Sequence, residues 1–244
     1  MNLSDPPAAD DLPIAPCLAV VIPVFNEEEN ISILQSELRV ALAGIDHEIV
    51  FVDDGSTDRT VEKIEHGTNV RVLRIEKNTG QSAALYVGCK AARGATVVMI
   101  DSDLQNDPAD IPRLLAEISK GADMVCGYRR RRKDTMQKRI ISRVANFVRS
   151  RYTGDGIRDT GCTLKAMRRE CGDEFIPFKG MHRFMASLVK GGGYRIVEIP
   201  VNHRPRRFGQ TKYGFGSRGL KTVRDLLGVR WLLDRHLSYK VREE

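Results

Sequence analysis

The first half of the chain alternates between two hydrophobic patterns. Short uninterrupted apolar runs predict strands that are covered on both faces, as in a parallel sheet. The runs lie at residues 18–25, 48–52, 70–75, 97–100 and 124–126. Between them, apolar residues recur at helical spacing, so a helix follows most of these strands. This alternation predicts an α/β fold with a doubly wound, mostly parallel central sheet.

The predicted helices differ in character. They are centred on residues 31–42, 58–64, 81–92 and 111–118. The helix at 81–92 is rich in Ala and Gly, so its backbone can lie close either to the sheet or to a ligand. In the second half, residues 194–201 alternate between two side-chain faces and predict a further strand.

Carboxylates follow three of the predicted strands. Glu27 follows the first strand, and Asp53 with Asp54 ends the second. Asp101 and Asp103 end the fourth, with one residue between them. Ligands of open α/β sheets bind beyond the carboxyl ends of the strands, so these side chains are expected to share one site. Neighbouring carboxylates repel unless a cation or proton lies between them, which favours a divalent metal; a simple strand-ending turn is the alternative.

Composition narrows the choice of partners. The formal net charge is +7, which favours an anionic partner: nucleic acid, a phospholipid surface or a phosphorylated substrate. The hydrophobic share is 41%, and no apolar stretch is long enough to span a bilayer, so a soluble or peripheral protein is expected. The five cysteines lack Cys-x-x-Cys spacing, which predicts reduced packing residues. No Gly-x-x-x-x-Gly-Lys-Ser/Thr motif indicates a P-loop.

The second half is basic and amphipathic. Residues 129–133 are five consecutive basic residues, and residues 138–151 combine basic and apolar positions at helical spacing. Residues 203–207 are cationic, and the glycines that follow predict a lid over the cleft. Residues 220–235 predict a basic amphipathic helix in which Trp231 suits a membrane interface. Packing against a neighbouring subunit is the alternative for this last helix.

Four motifs together resemble a known family. Residues 23–27, 53–58, 78–80 and 101–105 resemble, in order and spacing, motifs of the inverting family 2 glycosyltransferases. The resemblance implies the nucleotide-diphospho-sugar transferase (GT-A) fold. It also implies an Asp-x-Asp-x-Gln metal motif at residues 101–105.

Further motifs are similar to the polyprenyl-phosphate branch of that family, which includes dolichol-phosphate mannosyltransferases. They are Arg129 after the fifth strand, the Ile-Ile-Ser-Arg segment at 140–143 and the basic loop at 206–212. The resemblance covers roughly residues 18–225. It implies inverting transfer of mannose or a related hexose, from GDP-mannose or another nucleotide-diphospho-sugar, to a polyprenyl phosphate.

The resemblance implies donor, metal and acceptor residues. The donor residues are Pro23, Phe25, Glu27, Asp53, Asp54, Gly80, Asp101, Ser102, Asp103 and Gln105. The residues implied to hold Mg²⁺ or Mn²⁺ are Asp101, Asp103 and Gln105. The acceptor phosphate is implied to bind at Arg129, Lys138, Ser142, Arg206 and Lys212. Catalytic roles are implied for Asp103, Arg129, Arg206 and Lys212, whereas His182 and His203 are given none.

Two departures bear on the substrate. Residues 159–165 are closer to bacterial relatives that act on undecaprenyl phosphate, which leaves the sugar open. Lys138 stands where the family has Arg, and Lys cannot grip a phosphate bidentately. A family 2 enzyme with a soluble or polysaccharide acceptor is an alternative. A nucleic-acid-binding module is disfavoured, because acidic strand ends repel phosphate.

The chain is expected to divide into three parts. Residues 1–16 predict a flexible tail, residues 17–215 the GT-A domain, and residues 216–244 an amphipathic helix at a membrane surface or interface. The expected location is cytoplasmic, peripheral on the inner face of the cytoplasmic membrane. The sequence leaves open both a membrane-protein partner and a homo-oligomer.

Overall fold

A seven-stranded sheet forms the centre of the molecule, in the order β3-β2-β1-β4-β6-β5-β7. The computed structural model describes residues 17–129, 149–208 and 218–237. The strands are β1 (Leu18–Val24), β2 (His47–Asp53), β3 (Val70–Arg74), β4 (Thr96–Met99), β5 (Met124–Arg129), β6 (Lys165–Arg168) and β7 (Ile196–Val201). All pairs are parallel except those made by β6, which runs antiparallel to both β4 and β5. The predicted α/β class with a mostly parallel sheet is confirmed.

Residues 149–153 are helical, and five further α-helices lie wholly within the described residues. They are α1 (Ile31–Ala41), α2 (Gln81–Ala91), α3 (Ile111–Ser119), α4 (Met185–Gly191) and α5 (Arg218–Asp234). Single 3-10 segments lie at Val61–Lys63, Pro108–Asp110, Arg169–Glu174 and Met181–Arg183. None of the helices in the described ranges is long and apolar enough to cross a membrane.

The helices cover the sheet on both faces, because strand side chains alternate between them. Val20 and Ile22 of β1 join a core with α1 and α3, whereas Ala19 and Val21 point to the core beneath α2 and α4. Both faces of the strands are therefore buried, which explains why the strand sequences are continuous apolar runs rather than alternating apolar and polar residues.

Two elements differ from the sequence prediction. The helix expected around Val61 and Ile64 is only the 3-10 segment Val61–Lys63, because two apolar positions before Gly67 cannot support an amphipathic helix. Strand β6 was not predicted. It is four residues long and places Lys165 in the middle of the sheet, so its sequence lacks the apolar run that identifies the other strands.

Helix α2 lies unusually close to the sheet at Gly88. A Cβ atom added at this glycine would lie 2.3 Å from Cγ1 of Val21 and 2.9 Å from Cγ2 of Val52. The Ala- and Gly-rich helix α2 therefore packs directly on β1 and β2 at this glycine.

We predict that Gly88→Ala destabilises the protein. The overpacking costs about 1–3 kcal/mol, which exceeds the gain of about 1 kcal/mol from replacing a helical glycine. Gly228→Ala in α5 is the matched control, because no atom lies within 4 Å of the added methyl there. Urea unfolding should show a lower midpoint for Gly88→Ala and an equal or higher one for Gly228→Ala. Equal midpoints for both variants would contradict the close helix–sheet contact.

Candidate active site

A cleft of about 440 Å³ opens at the carboxyl ends of β1, β2 and β4. Loops that follow three neighbouring parallel strands meet here, as expected for a doubly wound sheet. Of the residues predicted for the site, those that line the cleft are Pro23, Phe25, Glu27, Asp54, Asp101, Ser102, Asp103, Gln105, Arg129 and Arg206. The structure thus brings together ten of the predicted residues, from positions more than a hundred residues apart in the chain.

Asp101 is held by two neutral side chains. Its Oδ1 accepts a hydrogen bond from Nε2 of Gln81 at 2.7 Å, and its Oδ2 accepts one from Oγ1 of Thr163 at 2.7 Å. The register of β4 against β6 pairs Met99 with Lys165, so two residues further on Thr163 lies opposite Asp101. Burial, followed by the charge on Asp103, raises the pKa of Asp101 to about 6.

Asp103 is held by charge. Its Oδ2 accepts a hydrogen bond from Arg206 at 2.6 Å, and its Oδ1 accepts one from the backbone N–H of Gln105 at 3.1 Å. Leu104, which lies between Asp103 and Gln105 in the chain, has a φ of 61°, a left-handed conformation that is strained for a leucine. The buried Leu104 side chain holds this turn in the core, and the turn aims Asp103 into the cleft.

The donor chemistry of this pair fits a hard divalent cation. Mg²⁺ is commonly bound by one or two carboxylates together with substrate phosphates and water. Asp101 and Asp103 supply such a pair, and their mutual repulsion is the condition that a cation relieves. Among the described residues, no group of three or more His, Cys, Asp or Glu side chains could hold a metal ion. Phosphate oxygens of a bound substrate would supply further ligands to such an ion.

Asp54 and Asp53 have different surroundings. The Asp54 carboxylate accepts hydrogen bonds from the backbone N–H groups of Thr79 and Gly80, at 2.8 and 2.7 Å. It thereby fixes the loop before α2, where Gly80 has a φ of 105°. Asp53 does not line the cleft. Its fully buried carboxylate accepts hydrogen bonds from Ser56 N–H and from Arg74.

The loop after β1 is tied to neighbouring loops. The Oγ of Ser102 donates a hydrogen bond to the carbonyl of Pro23 at 3.1 Å, which joins the ends of β1 and β4. The backbone N–H of Glu27 donates to Oγ1 of Thr60 at 2.7 Å. These contacts hold Glu27 at the rim of the cleft, near Asp54.

Arg129, at the end of β5, lines the cleft together with Asp101. Its guanidinium forms a bidentate pair with Asp159, with Nε–Oδ2 and Nη2–Oδ1 distances of 2.7 and 2.8 Å. Both side chains are largely buried, and a planar fork of this kind fixes the guanidinium orientation. Asp159 was not among the predicted site residues. Its position in the motif at 159–165 was the available signal, but the partner lies thirty residues earlier in the chain.

A braced segment carries Arg206 over the cleft. Arg204 pairs with Glu37 at 2.7 Å and with Asp107 at 2.6 Å, and its backbone N–H donates to the carbonyl of Gln105 at 2.9 Å. This double ion pair anchors the cationic segment beside the loop that carries Asp103. The predicted lid thus has an anchored start, while its glycine-rich part at 209–217 lies outside the described residues.

The remaining predicted residues either lie outside the described ranges or have other positions. Lys138, Ser142 and Lys212, together with most of the basic helix at 138–151, lie outside the described residues. Gly80 contributes its N–H to Asp54 rather than lining the cleft. His203 lines the cleft beside Asn106, whereas His182 faces a smaller adjoining cavity.

The fold and the cleft define the class of protein as a GT-A glycosyltransferase. Glucosyl-3-phosphoglycerate synthase from Mycobacterium tuberculosis, solved with Mn²⁺, UDP and phosphoglyceric acid, superposes with a TM-score of 0.66 and 22% identity. The match covers 92% of this chain and 80% of that one, and at this identity it shows the fold alone. Residues 19–174 match glycosyl transferase family 2, and the chain belongs to that family.

Two curated relatives are similar over most of the chain. Dodecaprenyl-phosphate galacturonate synthase from Rhizobium johnstonii is 36% identical over 236 residues, covering 92% of this chain and 68% of the relative. Undecaprenyl-phosphate 4-deoxy-4-formamido-L-arabinose transferase from Pseudomonas fluorescens is 35% identical over 218 residues, covering 86% and 64%. This chain spans about two thirds of the length of these relatives.

Proposed function

We propose that the protein transfers a sugar from a nucleotide-diphospho-sugar to a polyprenyl phosphate, with inversion at the anomeric carbon. One observation carries the proposal: a single cleft holds the paired carboxylates Asp101 and Asp103 against the two guanidinium groups of Arg129 and Arg206. Carboxylates suit a metal-bound diphosphate, and guanidinium groups suit a second phosphate. The two curated relatives are named for reactions of this type.

The donor lies along the ends of β1, β2 and β4. Glu27 and Asp54 contact the nucleoside, and the loop that Asp54 fixes before α2 covers it. Asp53 supports this wall from behind rather than touching the nucleoside. Asp101 and Asp103, with Gln105, would hold Mg²⁺ or Mn²⁺. A divalent ion bound there supplies charge neutralisation for the departing diphosphate.

The acceptor phosphate lies between Arg129 and Arg206. These guanidinium groups orient one phosphate oxygen for in-line attack on the anomeric carbon. The new bond forms from that oxygen, and the nucleoside diphosphate leaves with the electrons of the broken C–O bond. A phosphate monoester has a second pKa of about 6, so the nucleophile is largely deprotonated near neutral pH. No general base is required. Lys138, Ser142 and Lys212 remain proposed acceptor residues.

The cleft and the curated relatives support the type of reaction more strongly than they support a particular sugar or nucleotide in the donor. Mannose from GDP-mannose is one candidate donor, from the resemblance to mannosyltransferases. The curated relatives are named for galacturonate and for 4-deoxy-4-formamido-L-arabinose instead. A related hexose or pentose is therefore an equal candidate under this proposal.

Helix α5 is proposed to rest on the membrane that holds the acceptor. Val223, Leu227 and Trp231 recur every four residues on one helix face and are 56%, 53% and 62% exposed. The opposite face packs on the domain through the buried Val229. Exposed Arg224 and Arg235 flank the apolar stripe, which suits an anionic lipid surface.

We expect Asp103→Asn to lower kcat/KM by about 100-fold or more, because the substitution removes a carboxylate that would hold the charge-neutralising divalent cation. Turnover is measured with radiolabelled nucleotide sugars and undecaprenyl phosphate in purified protein. EDTA should abolish wild-type turnover, and Mg²⁺ or Mn²⁺ should restore it. Full turnover by Asp103→Asn would rule out this role for the carboxylate.

Arg206→Ala should raise the KM for undecaprenyl phosphate about tenfold or more, because a charge-assisted hydrogen bond contributes about 1.5–3 kcal/mol. Donor binding, measured by calorimetry, should change less than about threefold. Arg207→Ala is the matched control, since this neighbouring side chain is exposed and does not line the cleft. Lost donor binding with a normal acceptor KM would contradict the assignment.

Replacing both Leu227 and Trp231 by Ser should weaken binding to phosphatidylcholine–phosphatidylglycerol vesicles about tenfold or more, since each buried side chain contributes about 1.5–3 kcal/mol. Sedimentation of the protein with vesicles measures this. Val40→Ser is the control, because Val40 is 77% exposed on α1, away from the stripe. Trp231 is the only tryptophan, so its fluorescence should shift to the blue when wild-type protein meets vesicles. Unchanged sedimentation of the double variant would exclude the stripe as the docking face.

A further inference from the structure

A second cavity, of about 180 Å³, adjoins the main cleft. The two share Gln81, Asp101 and Gly161, so the cavity begins beside the carboxylate assigned to the donor diphosphate. It has less than half the volume of the cleft, which leaves room for a sugar ring but not for a nucleotide. Its walls are α2, the segment from Thr160 to Lys165 and the turn before α4.

The unusual residue of this cavity is Lys165. It lies in the centre of the sheet, paired with Met99 on one side and Cys126 on the other, and it is only 3% exposed. Its Nζ donates a hydrogen bond to the carbonyl of Cys162, and it forms no ion pair with any described residue. A buried ammonium without a paired carboxylate is costly, and residues that break such a local rule are expected at functional or strained sites.

Asp101 lines the same cavity, and its carboxylate interacts with the charge of Lys165 without forming an ion pair with it. Both oxygens of Asp101 already accept hydrogen bonds, from Gln81 and Thr163. On the opposite wall, burial and the positive charges of Arg183 and Lys165 lower the pKa of His182 to about 4. The His182 ring is therefore neutral near pH 7, mainly because it is buried, and the positive charges of Arg183 and Lys165 add to that effect. Its Nδ1 lies 2.8 Å from Oγ of Ser82, which holds the ring in place.

We propose that this cavity receives the donor sugar, and that Lys165 makes it selective for a uronic acid by pairing with the sugar carboxylate. The inference rests on the proposed function. A carboxylate on the sugar ring would give Lys165 the ion-pair partner that no described residue provides. Asp101 would lie at the diphosphate end of the same sugar. With a neutral hydroxymethyl group in that place, the ammonium would keep only its hydrogen bond to the carbonyl of Cys162 among the described residues.

The test compares donors that differ only in the oxidation state of C6. The matched pairs are UDP-galacturonate with UDP-galactose, UDP-glucuronate with UDP-glucose, and GDP-mannuronate with GDP-mannose. Donor affinity is measured by calorimetry with Mg²⁺, and transfer to undecaprenyl phosphate is measured in parallel. Wild-type protein should bind the uronate of at least one pair about 30-fold more tightly than its neutral partner, as expected for a hydrogen-bonded ion pair.

Lys165→Met should reduce that preference to about threefold or less, while affinity for free UDP or GDP stays unchanged. Lys165→Arg should retain part of the preference, because the positive charge remains. Lys90→Met is the control, since Lys90 is an exposed lysine of α2 that pairs with Asp173 away from the cavity. Thermal unfolding identifies a variant that has lost its fold, and the wild-type preference and Lys165→Arg then carry the test.

The outcomes separate the two proposals. Wild-type preference for the neutral sugar of each pair, or a uronate preference that survives in folded Lys165→Met, would overturn the inference and leave the glycosyltransferase function intact. Failure of wild-type protein to bind any nucleotide or nucleotide sugar would overturn the proposed function, and the inference with it.

Discussion

The repulsion between Asp101 and Asp103 is the constraint around which the site is built. Two carboxylates one residue apart at the end of a buried strand cannot both stay charged without nearby compensation. The protein supplies it from three directions: Gln81 from α2, Thr163 from the segment before β6, and Arg206 from the segment after β7. Each contact ties a separate part of the chain to the end of β4. The acidic pair therefore organises the cleft as well as serving it.

Much of the fold follows from sequence because the strands are buried on both faces. Their apolar runs mark β1, β2 and β4 clearly, and the carboxylates that follow them must meet at one edge of a parallel sheet. Strand β6 escapes this reasoning. It is short and antiparallel, and it places a charged residue in the core, so its position depends on pairing with β4 and β5 rather than on its own pattern.

Many residues that line the cleft were predictable from sequence, but the contacts between them were not. Asp53 and Asp54 are equivalent in sequence, yet only Asp54 lines the cleft, because the strand pleat turns successive side chains to opposite sides. The bidentate partner of Arg129, Asp159, and the brace that Arg204 forms with Glu37 and Asp107 join residues far apart in the chain. Such pairs depend on tertiary geometry, which no local spacing encodes.

The close approach of α2 to the sheet links the core to the chemistry. Gly88 lies seven residues, or about two helical turns, along α2 from Gln81, which contacts Asp101. A helix is stiff over this length, so any shift of α2 away from Val21 and Val52 also moves the amide off the carboxylate. The lack of a side chain at Gly88 thus helps to fix how Gln81 is aligned with Asp101. A substitution that changed the packing at Gly88 to suit a different temperature would therefore also change the contact between Gln81 and Asp101.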